Sequence, residues 1–279
     1  MPASNPRALE KARGLPADAL IFDLEDAVAP TAKAEARRLA VEAALEGGYG
    51  HRELIIRVNP LDSPWGAEDV KAAAQSGVDA VLLPKIESAD QLRQAVEALE
   101  DAGAPPSQSI WVMAETPRAI LDLDAIATAS PRLRVIVAGT TDLSKALRVK
   151  PSPDRLGLLH ALSRCVLVAR AHGLDALDGV PLRLDDPEGL RAACEQGRAL
   201  GFDGKTLIHP NQIDIANQVF SPSPQDITAA ERLLIAWESA ADKGLAVVDG
   251  QLVEALHVEE ARRVLALAAA IEQRESEEP

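Results

Sequence analysis

ADALIFDLEDAVAP, residues 17–30, passes from an apolar run, Ala19 to Phe22, into three carboxylates, Asp23, Glu25 and Asp26. The run is apolar on both faces, as a strand buried in a parallel sheet must be. Pro30-Thr31 then precedes an Ala/Glu/Arg pattern that reads as a helix to about Glu46, closed by Gly47-Gly48. The same order of apolar run, charged end and helical stretch recurs at ELIIRV (53–58), DAVLLPKI (79–86), SIWVMAE (109–115), RVIVAG (134–139), DALDGV (175–180) and GKTLIH (204–209). Ser88 is expected to cap one of the intervening helices and Gly103 to end it. Alternating strands and helices predict a parallel α/β fold. Seven strands precede residue 210, and an eighth would close a (β/α)8, or TIM, barrel. Met1–Asn5 reads as a loop entering a helix over Pro6–Lys11, so the first strand is expected upstream of the chain start.

After Pro210 the pattern changes. A helix over 211–219 is followed by the break SPSP (221–224), where Ser223 or Pro224 opens a long helix to about Lys243. LAVVDGQLVEAL (245–256) carries Asp249-Gly250 between apolar runs, the signal of a tight hairpin. An amphipathic helix from His257 to Arg274 precedes the charged tail ESEEP (275–279). This divides the chain into a catalytic barrel, 1–220, and a helix–hairpin–helix extension, 221–279. The extension is too small for an independent domain and is suited to covering a barrel end or reaching a neighbouring subunit.

The net charge of −14 and the lack of a basic stripe argue against nucleic acid and anionic membranes as partners. No apolar run approaches the roughly 20 residues of a membrane span. The N-terminal segment MPASNPRALEKARG has no signal-peptide core, and Cys165 and Cys194 lack ligand spacing, so both read as reduced core residues of a cytoplasmic protein.

In a barrel, catalytic groups come from the C-terminal strand ends. Here those ends carry Asp23, Glu25 and Asp26, then Arg57 and Asn59, Lys85 and Glu87, Glu115, Asp142, Asp178, and Lys205 and His209. Any one could simply mark a chain leaving the core, but seven such ends converging on one mouth call for a cation. Glu115 and Asp142 form the best metal pair: oxygen ligands on separate loops suit Mg2+, which takes one or two carboxylates and leaves its other positions to water and substrate. Asp142 lies in AGTTDLS (138–144), where Gly139, Thr140 and Thr141 let backbone N–H groups approach an anion, and Thr141 or Asp142 starts the next helix. The competing reading makes Asp142 only an N-cap. Arg57 either grips a substrate carboxylate or an enolate oxygen, or pairs structurally with Asp23 or Glu25. Asp23 and Glu25 hold metal-bound waters or balance Arg57 and Lys85, and His209 reads as a core or capping residue.

The motifs DLEDAVAP (23–30), RVN (57–59), LPKIES (83–88), AETPRAI (114–120), AGTTDLS (138–144), LDGV (177–180) and GFDGKTLIHPNQI (201–213) together resemble the HpcH/HpaI aldolase and citrate lyase family, in its citrate lyase beta branch. The resemblance implies a TIM barrel, a homo-oligomer such as a trimer or hexamer, Glu115 and Asp142 as Mg2+ ligands, and Arg57 as the group that binds substrate and stabilises an enolate. It places Asp23, Glu25 and Asp26 around the metal waters, with Lys85 behind them. Related lyases carry a C-terminal Asp as acid/base; here Gly250-Gln251-Leu252-Val253 is followed by Glu254, a carboxylate on a longer arm. The implied activity is Mg2+-dependent cleavage or formation of a 3-hydroxyacyl thioester such as citramalyl-CoA, malyl-CoA or a citryl thioester, giving a keto acid and an acetyl thioester. Its partners would be a small acyl thioester, with CoA as the expected carrier, and a keto acid. The alternatives are a hydroxy-keto-acid aldolase, the beta subunit of a citrate lyase complex, a Schiff-base aldolase using Lys85 or Lys205, and a non-catalytic barrel.

Overall fold

The computed structural model describes residues 1–239, 246–248 and 251–277. It divides into two compact units, Met1–Ala216 and Asn217–Pro279, a boundary a few residues before the expected one.

The first unit is built on seven strands: β1 (Ala19–Asp23), β2 (Glu53–Arg57), β3 (Ala80–Leu83), β4 (Ser109–Ala114), β5 (Leu133–Ala138), β6 (Asp175–Asp178) and β7 (Gly204–Lys205). They pair in sequence order and in parallel throughout. Helices fill the crossovers: α1 (Pro6–Ala12) leads into β1, followed by α2 (Lys33–Glu46), α3 (Gly66–Gln75), α4 (Ala89–Asp101), α5 (Pro117–Ala127), α6 (Thr140–Leu147), α7 (Leu159–His172) and α8 (Pro187–Leu200). Parallel strands in sequence order, joined by helical crossovers, have the order of a barrel wall.

Each strand expected from the sequence is present, and local chemistry explains the intervening ends. Ser88 Oγ accepts from the Gln91 amide at the start of α4, and Thr116 Oγ1 accepts from Ala119 N at the start of α5. Gly173 and Gly201, at φ +65° and +97°, close α7 and α8 in the left-handed region that favours glycine. The N-terminal segment departs from the loop expected of it: Pro2 forms a parallel bridge to Asp23, Asp23 N donates to Met1 O and Ala3 N donates to Asp23 O.

The two-residue strand period sets the interior. Ile55, Ala80, Leu82, Trp111, Val135 and Val137 form one buried cluster, with Ile21, Met113 and Leu177 packed on it. Burying each large aliphatic side chain contributes about 1.5–3 kcal/mol. Asp23 stands two residues beyond Ile21 and Arg57 two beyond Ile55, so both continue the inward face at the C-terminal end of the sheet. Cys165 and Cys194 are buried and unpaired by disulfide; burial pushes the Cys165 thiol up to about 12, which keeps it protonated.

α9 (Ile213–Phe220) runs across the division between units. In the second unit, α10 (Pro224–Ser239) and α11 (Ala255–Glu277) accompany an antiparallel pair, β8 (Ala246–Val248) and β9 (Gln251–Val253). Ser223 Oγ accepts from Asp226 N while Asp226 Oδ2 accepts from Ser223 N, a reciprocal cap that starts α10. Val253 and Val258 are buried against Leu233, Leu234 and Trp237. The expected turn at Asp249-Gly250 and the end of α10 near Lys243 lie outside the described residues. Among the described residues no helix is long and apolar enough to cross a membrane.

Candidate active site

The register pairs Asp23 directly with Arg57 across β1 and β2. Arg57 Nε donates to Asp23 Oδ1 at 2.7 Å and Nη2 donates to Oδ2 at 2.6 Å. Asp23 also accepts from the amides of Glu25 (2.8 Å) and Ala27 (3.0 Å). Burial alone raises its pKa, but the Arg57 bonds and charge, with the two amides, outweigh that and hold the carboxyl below its ordinary range. Arg57 is itself raised: burial opposes its charge, and Asp23, Glu25 and Asp26 more than offset it. Of the two readings of Arg57 left open by the sequence, the structural pairing with Asp23 is the one present, and it fixes the guanidinium at the sheet end.

Glu25 is buried and accepts from Lys85 Nζ through Oε1 at 2.7 Å. Its Oε2 lies 3.0 Å from Arg57 Nη1, yet makes no hydrogen bond of acceptable angle. Burial raises the Glu25 pKa against the pull of Arg57 and Lys85. Asp26 is exposed, 3.8 Å from Arg57 Nη1. Lys85 has φ +53°, unusual for a residue with a side chain. That backbone turns its amide onto Glu115 Oε1 at 2.8 Å, while its ammonium bridges from Glu25 to within 3.9 Å of Asp142 Oδ2. Burial lowers the Lys85 pKa, and Glu25, Asp26 and Glu115 raise it beyond that.

Glu115 is almost fully buried just after β4. Burial, then the charges of Glu25 and Asp142, push its carboxyl up from 4.5 to about 7, with the Lys85 amide and charge opposing. Gly139 sits against it: a Cβ there would lie 2.3 Å from Glu115 Cβ and 2.9 Å from Oε2. Gly139 is the N-cap of α6 and brings no side-chain acceptor to the first turn, which contains Thr140, Thr141 and Asp142. The helix therefore starts at Thr140, ahead of the expected Thr141 or Asp142, and Asp142 stands inside the first turn rather than capping it.

Among the described residues no group of three or more His, Cys, Asp or Glu side chains forms a ready-made metal cage. The donor set instead fits a divalent ion that keeps most of its waters: Glu115 and Asp142 offer hard carboxylate oxygens of the kind such an ion takes, with two other carboxylates nearby. Burial and the charges of Glu25 and Asp142 disfavour the Glu115 carboxylate, a load that a nearby cation relieves, and the bare Cα of Gly139 leaves Oε2 uncrowded.

Other sequence candidates fall elsewhere. Asp178 is fully buried and accepts from Arg155 Nη1 through both oxygens, from Lys205 Nζ and from Gly179 N. Lys205 is held there with its pKa lowered, chiefly by burial. His209 caps a short 3₁₀ turn, Pro210–Gln212, as one of its two readings expected. Glu87 N donates to Gln91 Oε1, in the turn that starts α4. Glu254 is exposed, in the second unit, where its amide donates to His257 Nδ1. Sequence reasoning missed Lys33, Asp69 and Arg155. Lys33 lies just after the acidic motif, and no local sequence signal marks its burial beside Asn59.

Residues 1–210 match the HpcH/HpaI aldolase/citrate lyase family. The chain belongs to that family. It is 52% identical over 273 residues to a (3S)-malyl-CoA thioesterase of Cereibacter sphaeroides, covering 97% of this chain and 93% of the relative. It is 36% identical over 277 residues to the citrate lyase subunit beta of Leuconostoc mesenteroides, covering 97% and 92%. Among solved structures, protein CitE of Mycobacterium tuberculosis in complex with magnesium, acetoacetate and coenzyme A superposes with a TM-score of 0.80 at 31% identity, covering 96% of each chain. Family members thus include thioesterases as well as lyases, so membership sets the enzyme class more coarsely than carbon–carbon lyase.

Proposed function

We propose that this protein is a Mg2+-dependent enzyme of malyl-type CoA thioesters whose net reaction is thioester hydrolysis. The observation that carries the reading is the 52% identity across 97% of the chain to a (3S)-malyl-CoA thioesterase, and the strand-end cluster of Glu25, Glu115 and Asp142 supports it chemically. Glu115 and Asp142 would hold the ion, which when bound supplies Lewis acidity to substrate oxygens. Arg57, oriented by Asp23, faces the charge that develops on the thioester-derived oxygen. The first-turn amides of α6, from Thr140 to Asp142, would meet the substrate carboxylate. Lys85 Nζ occupies Glu25 Oε1, which leaves Glu25 Oε2 as the acceptor for a water or hydroxyl proton. Asp26 adds charge at the exposed rim.

A second reading, carbon–carbon cleavage to a keto acid and acetyl-CoA, is favoured by the 36% identity to citrate lyase beta subunits. In that reaction Glu254 would move the proton at the thioester α-carbon, donated from a neighbouring subunit of a homotrimer, and Arg57 would stabilise the enolate. The barrel would be completed to (β/α)8 form beyond the seven strands, with 221–279 as its extension.

Incubation of (3S)-malyl-CoA with Mg2+ separates the two. Hydrolysis releases free CoA thiol and malate, whereas cleavage releases glyoxylate and acetyl-CoA without free thiol. Thiol release abolished by EDTA is the expected result. Neither product would sink both readings, and equal turnover in EDTA would remove Glu115 and Asp142 from a metal role. Light scattering of the purified protein tests the trimer.

A further inference from the structure

A buried polar chain behind the acidic turn has no part in the chemistry above. Lys33, at the start of α2, is almost fully buried, and its ammonium donates to Leu24 O at 2.9 Å, Glu25 O at 2.7 Å and Asn59 Oδ1 at 2.7 Å. An ammonium has three protons, so these bonds use all of its donor capacity. Its Nζ also lies 5.1 Å from the ring centre of Trp65. Asn59 Nδ2 donates to Leu24 O at 2.9 Å and to Asp69 Oδ2 at 2.6 Å, and Asp69 Oδ1 accepts from Arg37 Nε at 2.6 Å.

The chain thus runs from α2 and α3 to two consecutive carbonyls of the turn that carries Asp23, Glu25 and Asp26. Asp23 is already fixed by Arg57. Glu25 is held on its side-chain face by Lys85 and on its backbone face by Lys33. A buried lysine is costly unless its partners are satisfied, and here the partners are the backbone of one functional turn.

We propose that Lys33 is a positioning residue that aims the Glu25 carboxylate through the Leu24 and Glu25 carbonyls, with Asn59 as its relay to Asp69. The proposal rests on the reading of this site as a Mg2+-dependent CoA-thioester site. Removing a group that orients a metal-site side chain reduces activity or metal affinity by roughly 10–100-fold.

The test is a double-mutant cycle of Lys33→Met and Glu25→Gln, read by kcat with malyl-CoA and, without substrate, by Mn2+ affinity in titration calorimetry. Each single variant is expected to lower kcat by roughly 10–100-fold and to weaken Mn2+ in parallel. Lys33→Met in the Glu25→Gln background is expected to change either quantity less than about 3-fold, because the group it aims is already lost. Full additivity in an active wild-type protein overturns the inference and leaves the parent reading standing. Asn59→Ser, which keeps Lys33, is expected to reproduce the same non-additivity if Lys33→Met does not fold; additivity there overturns it equally. A wild-type protein that neither turns over malyl-CoA nor binds Mn2+ overturns both readings.

Discussion

Glu115→Gln should make the metal-free protein more stable at pH 8 than the wild type, and much less so at pH 5. Burial and the charges of Glu25 and Asp142 place the Glu115 pKa at about 7 in the folded chain, against 4.5 as its ordinary value. The folded state therefore holds this proton more tightly than the unfolded state. Below pH 4.5 both states are protonated and there is no penalty. As pH rises from 4.5 to 7 the unfolded chain ionises first, stability falls, and above 7 the loss is complete. The gap corresponds to about 3 kcal/mol in full, and to roughly 2–3 kcal/mol between pH 5 and pH 8. Glutamine keeps an Oε1 acceptor for the Lys85 amide and cannot ionise. Glu25, also raised, titrates in both proteins, so most of its contribution cancels in the comparison. Urea unfolding in EDTA at both pH values measures the difference directly. An equal stability difference at pH 5 and pH 8 would refute the claim that Glu115 carries uncompensated charge. Excess Mg2+ should erase the wild type's deficit, and leave the variant unmoved.

Gly139→Ala places a Cβ 2.3 Å from Glu115 Cβ; it should destabilise by about 1–3 kcal/mol and raise the half-saturating Mg2+ concentration, checked by unfolding and metal titration. Arg57→Lys loses the paired bonds to Asp23 and should reduce kcat/KM by roughly 10–100-fold, equivalent to one charged hydrogen bond, in steady-state kinetics. Lys205→Met removes one of the two cations on fully buried Asp178 and should lower unfolding free energy by about 3 kcal/mol, the low end for a broken buried pair, because Arg155 remains.

Strand positions were legible because each apolar run is bounded by a charge or a turn residue, and the C-terminal strand ends named the cluster from Asp23 to Asp142. Even the Asp23–Arg57 pair follows from strand alignment once Ala19 is set opposite Glu53. What sequence could not give was partnership across distance. Lys33 reaches Asn59, 26 positions away, and nothing in a helix-start lysine distinguishes it from a solvated one. Arg155 stands at φ +49° in the segment between α6 and α7, where no period marks it, and β7 pairs over only two residues because the chain turns towards Pro210 soon after. The N-terminal bridge at Pro2 was missed because a single paired residue has no alternation to detect.

The distribution of charge at the strand ends separates a structural cluster from a site awaiting a ligand. Five carboxylates, Asp23, Glu25, Asp26, Glu115 and Asp142, face two side-chain cations, Arg57 and Lys85. A cluster evolved for stability alone would give its most buried acids the strongest partners, because unpaired buried charge is costly. Asp23 follows that rule, with two guanidinium bonds and a depressed pKa. Glu115 breaks it: equally buried, it receives a single backbone amide and the distant charge of Lys85. A glycine beside it keeps its second oxygen open at a position where any side chain would clash. Withholding a side-chain partner from the deepest of these acids costs folding stability, and a divalent ion held as proposed between Glu115 and Asp142 would recover it, which is why the pH experiment and the metal titration probe the same charge.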